Sequence, residues 1–158
     1  MGLDITAYKR LTKVENPQLD EDGDVFDWNT QWRTDGSMRW SEQHWPGRAE
    51  GVDFETVYTF EDSTGFRAGS YSGYNWWRQK LSEFAEGDAF RELIEFSDCE
   101  GVIGSVVSKK LAADFAEFEN EAKEYAGKIE TGEYWFKMYG IWKEAFEMAA
   151  DGGAVNFR

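Results

Sequence analysis

The hydrophobic period of this chain changes at one place, near residue 69. Upstream, side chains suited to strands alternate in twos: Leu3, Ile5 and Ala7, then Phe54, Thr56, Tyr58 and Phe60. Downstream, apolar residues recur at helical spacing. Trp77, Leu81 and Phe84 form one stripe; Leu111, Phe115, Phe118, Ala122 and Tyr125 form another; Trp135, Met138, Trp142, Ala145, Phe146 and Ala149 form a third. A period of two lines one face of a strand, and a period of 3.6 lines one stripe of a helix. Strands first and helices second, without regular βαβ alternation, predict an α+β fold. The expected form is a small, mainly antiparallel sheet covered on one face by three or four C-terminal helices. Residues 154–157 are a candidate final strand.

The 158 residues suffice for a single domain with a real core. It divides into a strand-rich part, 1–69, and a helix-rich part, 70–158. A first strand is expected over 3–11, and Asp22-Gly23 supplies a turn before a partner strand in 25–32. Residues 33–53 show no clean period and contain Gly36, Pro46, Gly47 and Gly51, so they read as a long loop carrying Trp40, His44 and Trp45. A strand over 54–60 and an antiparallel return over 66–69 follow. Gly87 ends the first helix, and Asp88 is placed to cap a short one bearing Phe90, Leu93 and Ile94. Residues 97–104 read as a loop. One long helix carries the stripe from Leu111 to Tyr125, ended by Gly127, and Thr131 is placed to cap the last helix.

The period changes within Gly69-Ser70-Tyr71-Ser72-Gly73-Tyr74-Asn75-Trp76-Trp77-Arg78. Permissive glycines beside hydroxyls, aromatic rings, an amide and a guanidinium resemble a recognition surface. Ser70 and Ser72 would offer hydroxyls, Tyr71, Tyr74 and Trp76 stacking faces, Asn75 an amide, and Arg78 a partner for phosphate or carboxylate. The alternative is that Tyr74 and Trp77 are core and the glycines only make the turn. The glycine spacing is neither a dinucleotide fingerprint nor a P-loop. In the 97–101 segment, Asp98 and Glu100 flank Cys99. They would accept hydrogen bonds from a ligand, or the segment is simply a cap and turn.

Cys99 is the sole cysteine, which excludes an internal disulfide and a four-thiolate zinc site and fits a reducing cytoplasm. Its acidic neighbours raise a thiol pKa, so it would need His44, the sole histidine, as base. Asp98 or Glu100 would then orient the imidazole; Ser70 or Ser72 gives the hydroxyl version. These are weak catalytic candidates, since nothing local marks a nucleophile elbow. The acids of 20–27 fail the EF-hand frame, with Asn29 where Glu is needed. No metal and no cofactor are expected.

Net charge is −14, spread along the chain. Such a field disfavours direct nucleic-acid contact and anionic membranes, attracts basic protein surfaces, and also serves solubility. No stretch reads as a membrane span or secretory signal. Residues 1–6 match a minimal myristoylation pattern, although Leu3 and Ile5 have a simpler role in a strand. Trp28, Trp32, Trp40 and Trp45 lie in an acidic stretch, where exposed indoles would resemble interaction anchors.

The segments MGLDITAY, FRAGSYSGYN with the following WR, FSDCEGVIG, and the run from Val106 through ADGGAV resemble a family of small proteins encoded by phages and prophages. The resemblance touches most of the chain and is weakest over 12–50. It lends no catalytic residue and no ligand. It implies an accessory protein acting in a bacterial host cytoplasm.

Three functions are therefore expected in order. The first is an acidic inhibitor or modulator of a host protein with a basic surface, such as a defence or nucleic-acid-binding factor, contacted through 28–45 and 70–78. The second is capture of a nucleotide-like small molecule by the 69–78 and 97–101 loops. The third is a hydrolase using His44.

Overall fold

The computed structural model describes residues 2–158. Its architecture is α+β, with two antiparallel sheets and six helices. The larger sheet has the order β5-β1-β7-β6, formed by β1 (Leu3–Lys9), β5 (Asp62–Gly69), β6 (Gly101–Gly104) and β7 (Ala154–Phe157). The smaller has the order β2-β4-β3, formed by β2 (Thr12–Lys13), β3 (Gln31–Arg33) and β4 (Val57–Thr59).

The alternation in β1 divides the molecule into two cores. Leu3, Ile5 and Ala7 face the helices, together with Ile103, Val155 and Phe157 of neighbouring strands. That face is covered by α2 (Tyr71–Gln79), α4 (Ser105–Glu117) and α6 (Gly132–Ala150). The second face carries Asp4, Thr6 and Tyr8, because successive strand side chains point to opposite sides. Tyr8, Val102 and Ala154 on that face bury Trp32, Met38, Ala49, Val52 and Tyr58. The sheet is thus covered on both faces, where helices on one face alone were expected. The short β2–β4 strands gave too little periodicity to announce the second layer.

Residues 33–53 are not one long loop: a helix occupies 36–44, and only the part after it is a turn. Asp35 caps α1 (Gly36–His44) by accepting from Ser37 N at 2.9 Å. Only Met38 and Ser41 are buried in that helix, which is too little for a visible stripe. The carboxylate of Glu42 then accepts from Gly47 N at 3.0 Å and Ala49 N at 2.6 Å, fixing the turn that follows. This turn and α1 lie directly on β6, within the supposed 97–104 loop. A Cβ on Gly101 would come within 2.6 Å of Ser41, and one on Gly104 would collide with Glu50 O. The two glycines of the FSDCEGVIG motif therefore serve close approach of main chain.

Other boundaries also moved. The 25–32 and 54–60 strands shrink to β3 and β4 and pair in the smaller sheet. The long helix breaks at Phe118 into α4 and α5 (Glu119–Ala126), with the Phe118 ring 6.0 Å from that of Phe90. The short helix is α3 (Arg91–Ile94), preceded by Phe90 at φ 62°. Asp114 holds that left-handed residue by accepting from its N–H at 3.0 Å. Thr131 does precede α6, but its hydroxyl donates to Glu130 O instead of capping.

Gly104→Ala should cost about 1–3 kcal/mol, because the methyl group can enter only by displacing the main chain of 49–50. Urea denaturation of the variant against the parent measures this.

Candidate functional site

The 69–78 segment is the start of α2, and its unusual composition has structural employment. Gly69 adopts φ 121°. Ser70 is the N-cap, and its Oγ accepts from Gly73 N at 3.0 Å. Tyr74 and Trp77 are buried among the helices. Arg78 is buried too, and its Nη1 donates to Leu93 O at 3.1 Å and Phe96 O at 2.7 Å. Tyr74 and Arg78 are therefore interior residues, where the sequence had offered them to a ligand. Tyr71 is half-buried against the main core. Ser70, Ser72 and Trp76 are exposed, and Lys80 Nζ sits 5.8 Å from the centre of the Trp76 ring.

The 69–78 and 97–101 segments do meet. Asn75 Nδ2 donates to Asp98 Oδ2 at 2.8 Å. Ser97 Oγ accepts from Cys99 N at 3.2 Å and Glu100 N at 3.1 Å, so the segment is a compact hydroxyl-capped turn. Glu100 is exposed. Cys99 Sγ lies 3.5 Å from Ser97 Oγ, and no hydrogen bond joins it to His44. The imidazole Nδ1 of His44 is instead 2.9 Å from Trp40 O, which assigns the Nδ1–H tautomer. Its ring packs between Trp40 at 4.8 Å and Trp45 at 5.7 Å. Trp40 and Trp45 are half-buried, with Trp45 reaching Phe96 at 5.4 Å. Among the described residues, no three His, Cys, Asp or Glu side chains are grouped to hold a metal.

A cleft lies elsewhere, on the second face of the larger sheet. Its volume is about 510 Å³. The register explains its floor: Thr6 pairs with Asn156 and Tyr8 with Ser63, all pointing away from the helices. Arg158 continues that face, its main chain exchanging hydrogen bonds with Asp4. The wall is the segment carrying Asp24, Val25, Trp28, Asn29, Gln31, Trp32 and Arg33, with Phe60 beside it. The smaller sheet covers only part of the larger sheet's outer face, so this part stays open.

Two features distinguish the cleft. The first is aromatic. Tyr8 stacks on Trp32 with centroids 4.8 Å apart, Phe60 lies 4.8 Å from Tyr8, and Trp28 is 75% exposed. The second is electrostatic. Carboxylates pair with Arg10, Arg39, Arg67 and Arg91. Main-chain carbonyls hold Arg48 and Arg78. Only Arg33 and Arg158 have neither kind of partner among the described residues, and both line this cleft. Arg158 Nη2 donates to Thr6 Oγ1 at 3.3 Å. Arg33 Nη1 lies 3.4 Å from where a Cβ on Gly23 would stand, so the 20–24 turn packs against its guanidinium. In a chain of net charge −14, this cleft sets two arginines without ion pairs among the described residues against one lining acid, Asp24, a local excess of positive side chains.

Sequence reasoning placed none of these residues in a ligand site. Trp28 and Trp32 were singled out only as interaction anchors, within a 28–45 segment expected to meet a host protein. Arg33 and Arg158 stand 125 positions apart, and only the pairing of β7 with β1 and the folding of β3 over the sheet bring them together. No protein-family model, no curated protein and no solved structure matches this chain.

Burial raises Tyr8 to about 12, against the pull of the nearby Arg158 guanidinium. Burial also raises Tyr74 and Tyr139. An unfolded tyrosine loses its proton near about 10. Above that pH the unfolded chain sheds protons that the folded one retains, so stability is full below pH of about 10 and falls as pH rises through 12. Urea midpoints should decline over that interval, and Tyr8→Phe should make the decline shallower.

Arg78→Met should cost about 2–4 kcal/mol by orphaning two buried carbonyls. Because Arg78 is far from the open face in role and contacts, the variant should keep the ligand affinity proposed below. Chemical denaturation and titration calorimetry check the two halves of this statement.

Proposed function

We propose that this chain is a binding protein that captures a small anionic molecule in the cleft between its two sheets. The observation that carries the reading is that Arg33 and Arg158, the two arginines without carboxylate or carbonyl partners among the described residues, both line one aromatic-walled cleft. A guanidinium not already paired is the donor best suited to phosphate or carboxylate, and two planar forks in one cleft grip such an anion more specifically than lysines do. A volume of about 510 Å³ lies within the range of small-molecule sites. Capture also suits the phage-type accessory role that the motif resemblance implies. This reading prefers the cleft to the 69–78 and 97–101 pair, where Asn75 and Asp98 bond each other and Arg78 is held by main-chain carbonyls.

A second reading, engagement of a basic host protein, is favoured by a different observation. Phe26 and Trp28 are 69% and 75% exposed on a segment holding Asp20, Glu21, Asp22, Asp24 and Asp27, none of them ion-paired among the described residues. Exposed aromatic anchors within a field of acids suit a Lys/Arg-rich surface, with binding that weakens in salt.

Calorimetric titration with inorganic pyrophosphate at low ionic strength tests the first reading. Pyrophosphate should bind, and Arg33→Ala or Arg158→Ala should each weaken it about tenfold or more, a loss of about 1.4 kcal/mol per tenfold. Neutralising Asp20, Glu21, Asp22 and Asp27 to amides should leave pyrophosphate binding intact or strengthen it. No heat of binding, or indifference to both arginines, would sink the proposal.

A further inference from the structure

Resting on the capture reading above, we infer that the ligand of the cleft is a nucleotide: a planar heterocyclic base attached to phosphate. Three sets of groups in the same cleft carry this. The arginines account for the phosphate. The base is called for by Trp28, whose indole is 75% exposed and lies near no other aromatic ring, while every other tryptophan has a ring or cation neighbour. An indole facing a cleft and covered by nothing is a stacking platform for a heterocycle, sequence-tolerant because every base offers a π-face.

The third set is amide groups. Asn29, Gln31 and Asn156 all line the cleft, and none of their side-chain amides makes a hydrogen bond to another described residue. Each amide offers two N–H donors and a carbonyl acceptor, the mixed complement that the edge of a base or a ribose presents. A simple carboxylate or inorganic phosphate would use the arginines and leave the indole and amides idle. The separation along the chain is functional in the same sense: Asn156 lies in β7 and Arg158 directly follows it, while Trp28, Asn29, Gln31 and Arg33 come from the segment entering and forming β3. A ligand touching both would bridge the two sheets and protect the 24–33 segment.

The test compares ADP, GDP, CDP and UDP, each titrated separately, with inorganic pyrophosphate on the intact chain. At least one nucleoside diphosphate should bind ten times or more tighter than pyrophosphate and quench tryptophan fluorescence. Trp28→Ala should bring that nucleotide down to the pyrophosphate level and leave pyrophosphate itself unchanged, whereas Trp28→Phe should keep most of the gain. Hydrogen exchange in the 24–33 segment should slow with the nucleotide and not with pyrophosphate. If pyrophosphate binds through both arginines but no nucleotide improves on it, or Trp28→Ala leaves the ratio unchanged, the inference falls and the anion reading stands. If nothing binds, both fall. Because Trp28 is largely exposed, its replacement leaves both cores intact, so a loss of binding cannot be assigned to unfolding.

Discussion

Trp77 Nε1 donates to Trp135 O, and Trp135 Nε1 donates to Trp77 O, both at 3.1 Å. This reciprocal clasp fixes α2 against α6 inside a mainly aromatic core, where an indole N–H without a partner would be costly. Around it the rings of Tyr74, Trp142 and Phe146 stack in sequence beneath the larger sheet. The orientation of α2 follows from the clasp. Only with α2 so turned can Arg78 reach the carbonyls of 93 and 96 and Asn75 reach Asp98. The GSYSGYNWWR run is accordingly a helix start that locks three layers of structure together.

The aromatic core also sets what the other face of the sheet is free to do. With Leu3, Ile5 and Ala7 committed to the helices, Thr6 and Tyr8 must point the other way, and the smaller sheet with α1 covers only the part nearest Tyr8, Val102 and Ala154. The uncovered remainder is the cleft. A rigid floor of paired strands and a wall supplied by an irregular segment is a common arrangement for recognition, since the scaffold positions groups that the loop presents.

Much of the architecture could be read from the residues. The alternation of Leu3, Ile5 and Ala7 and the stripe from Trp135 to Ala149 identified β1 and α6 because each buries one side against a large core, so periodicity and packing agree. The candidate site was read less well. Glycines and aromatics at 69–78 attracted attention for composition, yet capping, a positive φ and core packing account for most of them. The 97–101 segment likewise turned out to be a hydroxyl-capped turn whose glycine admits α1. Short elements escaped for the opposite reason. In α1 and β2–β4 too few residues face inward for a period to stand out, and close backbone approach at Gly101 and Gly104 leaves no mark except the glycines themselves.

The sequence by itself determined the class of the fold, the inward faces of β1, α4 and α6, and the chain's acidity, since these depend on local period and on charge that does not move when the chain folds. Tertiary structure alone decided which arginines stay without carboxylates. Pairing depends on which acids end within a few ångströms, and that follows from strand register and layer packing. It gave partners to Arg10, Arg39, Arg67 and Arg91, interior carbonyls to Arg48 and Arg78, and left Arg33 and Arg158 facing one open cleft.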